Sequence, residues 1–282
     1  IQTTLDISVM ILGSHVSCAG GFAKAVERAV NVGCDCLQIF VSNPPRQWPV
    51  VPVKPNEELG AGWKLVQPLT KNNNQWKAKP LADQDIQKWN EALAQSNLSD
   101  PIAHASYLIN LASPKDDLFQ KSIDSLVIEM ERANQLGLVG LVVHPGAFTD
   151  SSEQDGLIRI VDAVAEVLQK VEPGSCRLLL ENTAGQGTCL GHTFDQLAFM
   201  LDGIGDEQRV GVCMDTCHAF AAGYEISTAD GFAAMSQEIN DLLPAGSITA
   251  LHLNDSKKPL GSRVDRHEHI GRGEIGLDGF RY

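Results

Sequence analysis

The sequence has few of the features that mark membrane or secreted proteins. Its 282 residues contain no run of 18 apolar residues, so we predict no membrane-spanning helix. The first segment has no basic stretch before its short apolar run, and we expect no signal peptide. The seven cysteines are odd in number and scattered, which argues against a disulfide framework. Reduced thiols are typical of a cytoplasmic protein, and we predict that location.

Positive charge is also scarce. The chain has 22 Lys and Arg against 35 Asp and Glu, a net charge of −13, which argues against nucleic-acid binding over the whole surface. A local basic patch or bound divalent cations would reverse this expectation on one face. Such a patch is present in one candidate loop, which contains Lys257, Lys258, Arg263, Arg266 and Arg272.

Apolar segments alternate with helical patterns along the chain. Hydrophobic residues make up 43% of the sequence, enough for a sizeable core. The predicted strands cover residues 9–12, 36–41, 102–104, 139–144, 177–181, 210–214 and 248–253. This alternation is typical of a parallel sheet, and we predict a single α/β domain over residues 1–282, a TIM-type β/α barrel. The repeat breaks at about 44–79, where six of the 13 prolines predict a long loop insertion.

Five successive predicted strands end in a residue that can bind a metal. They end at His104, His144, Glu181, Asp215 and His252, spaced 34 to 40 residues apart. The carboxyl ends of barrel strands form the face where barrel enzymes hold their catalytic residues. One such residue is usually structural, but five in register would each need a separate buried partner. The pattern therefore predicts one shared site.

Three further candidates extend this set. His218 follows Asp215 after two residues, and Asp265 and His267 form a pair in a later loop. The eight residues supply five imidazoles and three carboxylates, more ligands than one tetrahedral ion uses. They predict two or three ions, with at least one bridging carboxylate. Mixed nitrogen and oxygen donors fit zinc, manganese or iron, and zinc is the commonest of these. Neighbouring ions suit in-line displacement at phosphorus.

Several long motifs resemble those of the endonuclease IV family, the zinc-dependent apurinic/apyrimidinic endonucleases. The matching segments are GSHVSCAGG (13–21), HASYLINL (104–111), ENTAGQG (181–187), VGVCMDTCHAFAAGY (210–224), HLNDS (252–256) and GSRVDRH (261–267). The resemblance implies a DNA-repair endonuclease on a β/α barrel with a trinuclear zinc centre. Its substrate would be double-stranded DNA containing abasic sites, cleaved on the 5′ side of the lesion to leave a 3′-hydroxyl. We expect no membrane association and, for a complete chain, a monomer.

The resemblance also assigns individual ligands for the first two ions. His104 and His144 would hold the first zinc ion, and Asp215 and His252 the second. Glu181 would bridge these two ions. The catalytic role falls on Glu181, His144 and Asp215.

The third ion and the DNA contacts are assigned in the same way. His218, Asp265 and His267 would hold the third zinc ion. Tyr107 matches a family residue that enters the DNA at the lesion, and the family's loop arginine corresponds to Arg46 or is replaced by Asn74. From the charge pattern, the proposed phosphate contacts are Lys257, Lys258, Arg263 and Arg266.

The interpretation includes a missing final strand, and it has two alternatives. In the family a final strand supplies a glutamate to the second ion, and the spacing places the next strand exit at about residue 286. We therefore expect the eighth strand to be missing, an open barrel and low activity. The alternatives are a divalent-metal sugar isomerase or epimerase-like barrel, and an inactive fragment of the nuclease. Tyr107 and the pair Asp265 and His267 favour the nuclease. An isomerase needs neither a third metal ion nor an exposed side chain that enters DNA.

Overall fold

A parallel sheet of seven strands organises the chain, in a computed structural model that describes residues 11–40, 76 and 80–282. The strands lie side by side in chain order, each parallel to its neighbours. They are β1 (Gly13–His15), β2 (Cys36–Phe40), β3 (Ile102–His104), β4 (Gly140–Val143), β5 (Arg177–Glu181), β6 (Val210–Asp215) and β7 (Ile248–His252). This order is that of a TIM-type barrel, as predicted.

Helices connect the strands, and a small hairpin follows β7. The helices are α1 (Phe22–Asn31), α2 (Asp83–Ala94), α3 (Asp116–Gln135), α4 (Glu153–Lys170), α5 (Phe194–Ile204), α6 (Thr216–Ala222), α7 (Ala229–Leu242) and α8 (Gly276–Gly279). The hairpin pairs β8 (Asp255–Ser256) with β9 (His267–Glu268) in antiparallel register. Among the described residues, no helix is both long enough and apolar enough to span a bilayer.

The central strands are buried on both faces. All residues of β4 are buried, and the apolar sequence Gly-Leu-Val-Val has the continuous pattern expected of a strand between two layers. A large core lies between the sheet and the helices, and Trp89 of α2 is fully buried there, with its Nε1–H donating to the Leu136 carbonyl at 2.8 Å. A smaller cluster of Val142, Leu179 and Cys213 fills the inside of the barrel.

The first strand differs from the prediction. The sequence predicts a strand at 9–12, but residues 11 and 12 lie outside any strand and the first described strand is β1, three residues long. Gly13 pairs with Cys36 so closely that a Cβ at this position would collide with the Cys36 thiol and carbonyl. The sequence pattern places Gly13 at the start of a loop. In the structure its missing side chain instead allows β1 to approach β2 closely. The shift places His15 at the carboxyl end of β1.

The described part of the sheet curls into an open half-barrel. Within the described ranges β1 pairs only with β2 and β7 only with β6, which agrees with the expected seven strands. The curl nonetheless brings Gln38 of β2 within hydrogen-bonding distance of His252 on β7. On the outer face of β7, Leu251 is 51% exposed. The predicted insertion at 44–79, with Arg46 and Asn74, lies outside the described residues except for Trp76.

Candidate metal centre

The eight predicted ligand residues converge at the carboxyl ends of the strands. Four of them are the last residues of strands β3, β5, β6 and β7, one directly follows β4, one lies in the first turn of α6, one lies in the segment joining β8 to β9, and one is the first residue of β9. In that order they are His104, Glu181, Asp215, His252, His144, His218, Asp265 and His267.

Glu181 lies at the middle of the cluster. Its side chain is buried, and its Oε2 atom lies 3.1 Å from Nε2 of His104 and 3.1 Å from Nε2 of His144. Its Oε1 atom lies 2.7 Å from Nδ1 of His252. The two oxygens of one carboxylate therefore contact imidazoles from opposite sides, which is the geometry a bridging ligand requires.

Asp215 is the second buried carboxylate. It ends β6 and directly precedes α6, and its side chain accepts the backbone N–H of His218 at 2.9 Å as the helix N-cap. Its Oδ2 atom accepts a hydrogen bond of 2.6 Å from the Asn254 amide and lies 3.9 Å from Nδ1 of His252. Nε2 of His267 lies 3.8 Å from the same oxygen. Asp215 thus lies between the second and third groups of donors.

The third group lies nearest to solvent. Asp265 places one oxygen 3.3 Å from Nε2 of His218 and the other 3.1 Å from Nε2 of His267. The two imidazole nitrogens are 3.4 Å apart. The β8–β9 hairpin brings Asp265 and His267 against α6, so the three predicted ligands of the third ion do meet at one point.

Hydrogen bonds to carbonyl oxygens fix the orientation of three imidazoles. Each ring donates one N–H to a neutral oxygen and directs its other nitrogen at the carboxylates, the arrangement typical of metal-binding histidines. The hydrogen bonds join His104 Nδ1 to Ala105 O (2.7 Å), His218 Nδ1 to Asn182 O (2.9 Å) and His252 Nε2 to Gln38 Oε1 (2.8 Å). The donor set therefore fits a divalent cation with nitrogen and oxygen ligands.

Two thiols lie closer to this centre than the sequence suggests. Cys213 and Cys217 flank Asp215 in the sequence, and both are buried. The Cys213 thiol, however, lies within 4.8 Å of donor atoms of Glu181 and His252, and the Cys217 thiol has the same relation to Asp265 and His267. The sequence does not predict that these thiols lie beside the donor atoms, because a cysteine next to a ligand in sequence carries no positional signal.

The charges of the cluster compensate one another. Burial alone would raise the pKa of Glu181, but the neighbouring His252 and His144 hold it well below its usual range. Burial would lower the pKa of His218, yet the carboxylates of Asp215 and Asp265 raise it to about 10. Protonated histidines thus balance the buried carboxylates when no metal is bound. This group of buried anions needs a positive charge, which bound cations would also supply.

Tyr107 lies at the rim of the donor cluster. Its ring centroid is 4.8 Å from that of His104 and 5.5 Å from that of His144, while its side chain is 44% exposed. The backbone N–H of Ser106 donates to the buried Glu129 carboxylate of α3 at 3.1 Å, which anchors this loop. The ring is therefore exposed to solvent beside the site.

The proposed phosphate contacts lie on the same hairpin as the third donor group. Four exposed basic side chains follow β8, and Lys257 also lies 3.7 Å from Glu268 across the hairpin. The four are Lys257, Lys258, Arg263 and Arg266. Arg46, the fifth candidate, lies outside the described residues.

The fold and the site together define a TIM-barrel protein with a candidate multinuclear metal centre. Residues 57–282 match a family model described as a xylose isomerase-like TIM barrel. The chain is 41% identical, over 96% of its length and 86% of the relative's, to a probable endonuclease 4 of Trichlorobacter lovleyi. It also resembles the crystal structure of endonuclease IV from Thermus thermophilus, with a TM-score of 0.76, 30% identity and coverage of 96% of this chain and 86% of that chain. The chain belongs to the endonuclease IV family.

The fold is shared more widely than the family. A D-tagatose 3-epimerase-like protein superposes with a TM-score of 0.65 at 18% identity, covering 95% of this chain and 85% of that one. At this identity the similarity concerns the fold alone.

Proposed function

We propose that the chain is a DNA-repair endonuclease that hydrolyses the phosphodiester bond on the 5′ side of an abasic site and leaves a 3′-hydroxyl. The observation that carries this proposal is the single cluster of five imidazoles and three carboxylates at the strand ends. Membership of the endonuclease IV family supports nuclease chemistry and a DNA substrate. Seven free cysteines, all within the described residues, support a cytoplasmic location.

The proposed cofactor is a set of three zinc ions held by residues of this chain. His104 and His144 would hold one ion and Asp215 and His252 a second, with Glu181 between them; the proximity of Glu181 to all three histidines supports this division. The third would be held by the remaining ligands, His218, Asp265 and His267. When bound, such ions activate the attacking water and neutralise charge on the phosphate oxygens.

The protein's own residues prepare the site for this chemistry. Glu181 and Asp215 concentrate negative charge in a buried position, where they would attract and hold divalent cations. The carbonyl hydrogen bonds of His104 and His218 keep the rings from rotating and direct the other nitrogen of each ring at the carboxylates. Because these groups are already in place, the protein does not have to rearrange when negative charge develops on the phosphate.

DNA recognition is proposed to combine the exposed hairpin and the rim tyrosine. The four basic side chains after β8 would neutralise phosphates, and this local patch offsets the net charge of −13. Tyr107 would fill the gap that an abasic nucleotide leaves in the base stack. Arg46 is a further proposed contact. The proposed form of the protein is a single domain and, for a complete chain, a monomer.

A divalent-metal sugar isomerase is the rival function, and the shared fold is the observation that favours it. The two functions differ in what the outer donors do. The contacts of His218 with Asp265, and of Asp265 with His267, create a third group of donors beside the two inner ones, which isomerisation does not need.

The direct experiment compares three substrates on zinc-loaded protein. A duplex with one abasic site should be cut on the 5′ side of the lesion, whereas the matched intact duplex and free aldoses should remain unchanged. A chelator should abolish cleavage, and added zinc should restore it. Aldose conversion without cleavage would establish the isomerase, and zinc-loaded protein inactive on every substrate would establish a metal-binding chain without turnover.

A further inference from the structure

His252 differs from His104 and His218 in the hydrogen-bond acceptor of the ring nitrogen that faces away from the carboxylates. His104 and His218 donate to backbone carbonyls, which the strands and loops fix in place. His252 instead donates from Nε2 to the side-chain oxygen of Gln38, which lies 214 positions away in sequence. The orientation of this ring therefore depends on a side chain from the other side of the half-barrel.

Gln38 is itself held firmly. It lies in the middle of β2, paired in register with His15 of β1 and Ile102 of β3, and its side chain is buried. Its Nε2 atom lies 3.2 Å from Nδ1 of His15, and its oxygen lies 2.8 Å from Nε2 of His252. One amide thus joins two imidazoles on the two outermost strands of the sheet.

His15 determines which way the amide faces. Burial lowers the pKa of His15 to about 3, so the ring is neutral near pH 7 and its Nδ1 can accept the Gln38 N–H. Its ring also packs on Phe40, with centroids 4.5 Å apart. Among the described residues, the other ring nitrogen of His15, Nε2, is buried without a hydrogen-bond partner. The hydrogen bond of the His15 side chain is therefore the one with Gln38.

We infer that Gln38 is a positioning residue that, through the chain His15–Gln38–His252, presents Nδ1 of His252 as a metal ligand. The hydrogen bond at Nε2 leaves Nδ1 directed at Glu181 Oε1, 2.7 Å away, and towards Asp215 Oδ2, 3.9 Å away. Because this role rests on the proposed metal function of His252, its test needs a measurement that does not depend on catalysis. Loss of such a supporting partner commonly weakens metal binding about 10- to 100-fold.

The experiment compares zinc affinity in three variants by stepwise competition with a chromophoric chelator. Gln38→Leu removes the acceptor at similar volume and should weaken one zinc step about 10- to 100-fold, leaving the other steps unchanged. Gln38→Glu keeps an acceptor for the Nε2–H and should retain most of the affinity. Gln120→Leu removes an exposed glutamine of α3 and should have no effect.

Long-range proton–nitrogen NMR of the zinc-loaded wild-type protein provides an independent measurement. The His252 proton should lie on Nε2, and in Gln38→Leu this signal should shift. A proton on Nδ1, or zinc affinity unchanged by Gln38→Leu, would overturn the inference. If the wild type bound no zinc, the proposed metal function would fail, and the Nε2–H signal of the metal-free protein would still decide whether Gln38 accepts its hydrogen bond.

Discussion

Asp215 holds His218 through a backbone hydrogen bond, because the last carboxylate of β6 accepts the His218 N–H at 2.9 Å as the cap of α6. The strand therefore passes into the helix without a loop. The two side chains are fixed relative to each other, and His218 faces the outer donor pair, 3.3 Å from Asp265. A single carboxylate thus serves both the local fold and the site.

The bridging position of Glu181 predicts an unequal loss of metal between two variants. Glu181→Ala removes contacts to His104, His144 and His252, whereas His218→Ala removes one outer donor. We expect Glu181→Ala to lose two ions and His218→Ala to lose one. Elemental analysis of zinc-loaded, gel-filtered protein measures this, with circular dichroism as the control for folding. Equal losses would contradict the bridging role.

Asp255 is predicted to hold the segment that follows β8. Its fully buried carboxylate accepts five backbone N–H groups, those of Ser256, Gly271, Gly273, Ile275 and Gly276. Asp255→Asn places an amide donor among these donors and should reduce the free energy of unfolding by about 1–3 kcal/mol. Denaturant unfolding measures this change, and hydrogen exchange at residues 271–276 should accelerate. The exposed Asp230→Asn is the matched control and should change neither.

The basic hairpin predicts salt-sensitive DNA binding. Lys257→Glu reverses one exposed charge and should weaken binding to abasic and intact duplexes by a similar factor, because phosphate contacts carry no sequence information. The slope of log affinity against log salt should fall by about 1 for the lost contact and further for the added repulsion. Fluorescence anisotropy over a salt series measures both. Binding that is independent of salt would exclude this surface as the DNA contact.

The sequence predicts the inner site well because strand ends are local features. The predicted strands 102–104 and 177–181 coincide with β3 and β5, and each ends in a donor of the cluster. In a parallel sheet such residues must meet at one edge, so spacing alone brings His104 and Glu181 together. The prediction for the first strand is wrong because glycine is typical of turns, so the sequence ends the strand before Gly13. In the structure Gly13 instead begins β1, where it packs closely against Cys36.

The supporting contacts could not be predicted in this way. Gln38 reaches His252 only because the sheet curls, and a glutamine in an apolar strand gives no sign of its partner. The β8–β9 hairpin has strands of two residues, too short for any periodic pattern. The sequence shows Asp255 only as one residue of the HLNDS motif. Its five backbone partners could not be predicted, because they depend on the path of the following loop.

Tyr107 allows the proposed wedge to be separated from ordinary packing. Its side chain is 44% exposed and its ring lies beside His104 and His144, so it contributes contact area at the rim and few core contacts. Tyr107→Ala should therefore reduce cleavage of an abasic duplex at least tenfold while zinc content and melting temperature stay close to wild type. Cleavage rates, elemental analysis and thermal unfolding measure the three quantities.

A second tyrosine provides the matched control for this substitution. Tyr224 accepts the Phe194 N–H at 3.2 Å and donates to Glu238 at 3.0 Å, and neither partner belongs to the donor cluster. Tyr224→Phe removes both hydrogen bonds and should lower the free energy of unfolding by about 1–3 kcal/mol, since a buried donor is left unpaired. Its cleavage rate per folded molecule should not change. If Tyr107→Ala lost zinc and stability as Tyr224→Phe loses stability, Tyr107 would be a packing residue, and the gap in the base stack would have to be filled by another side chain.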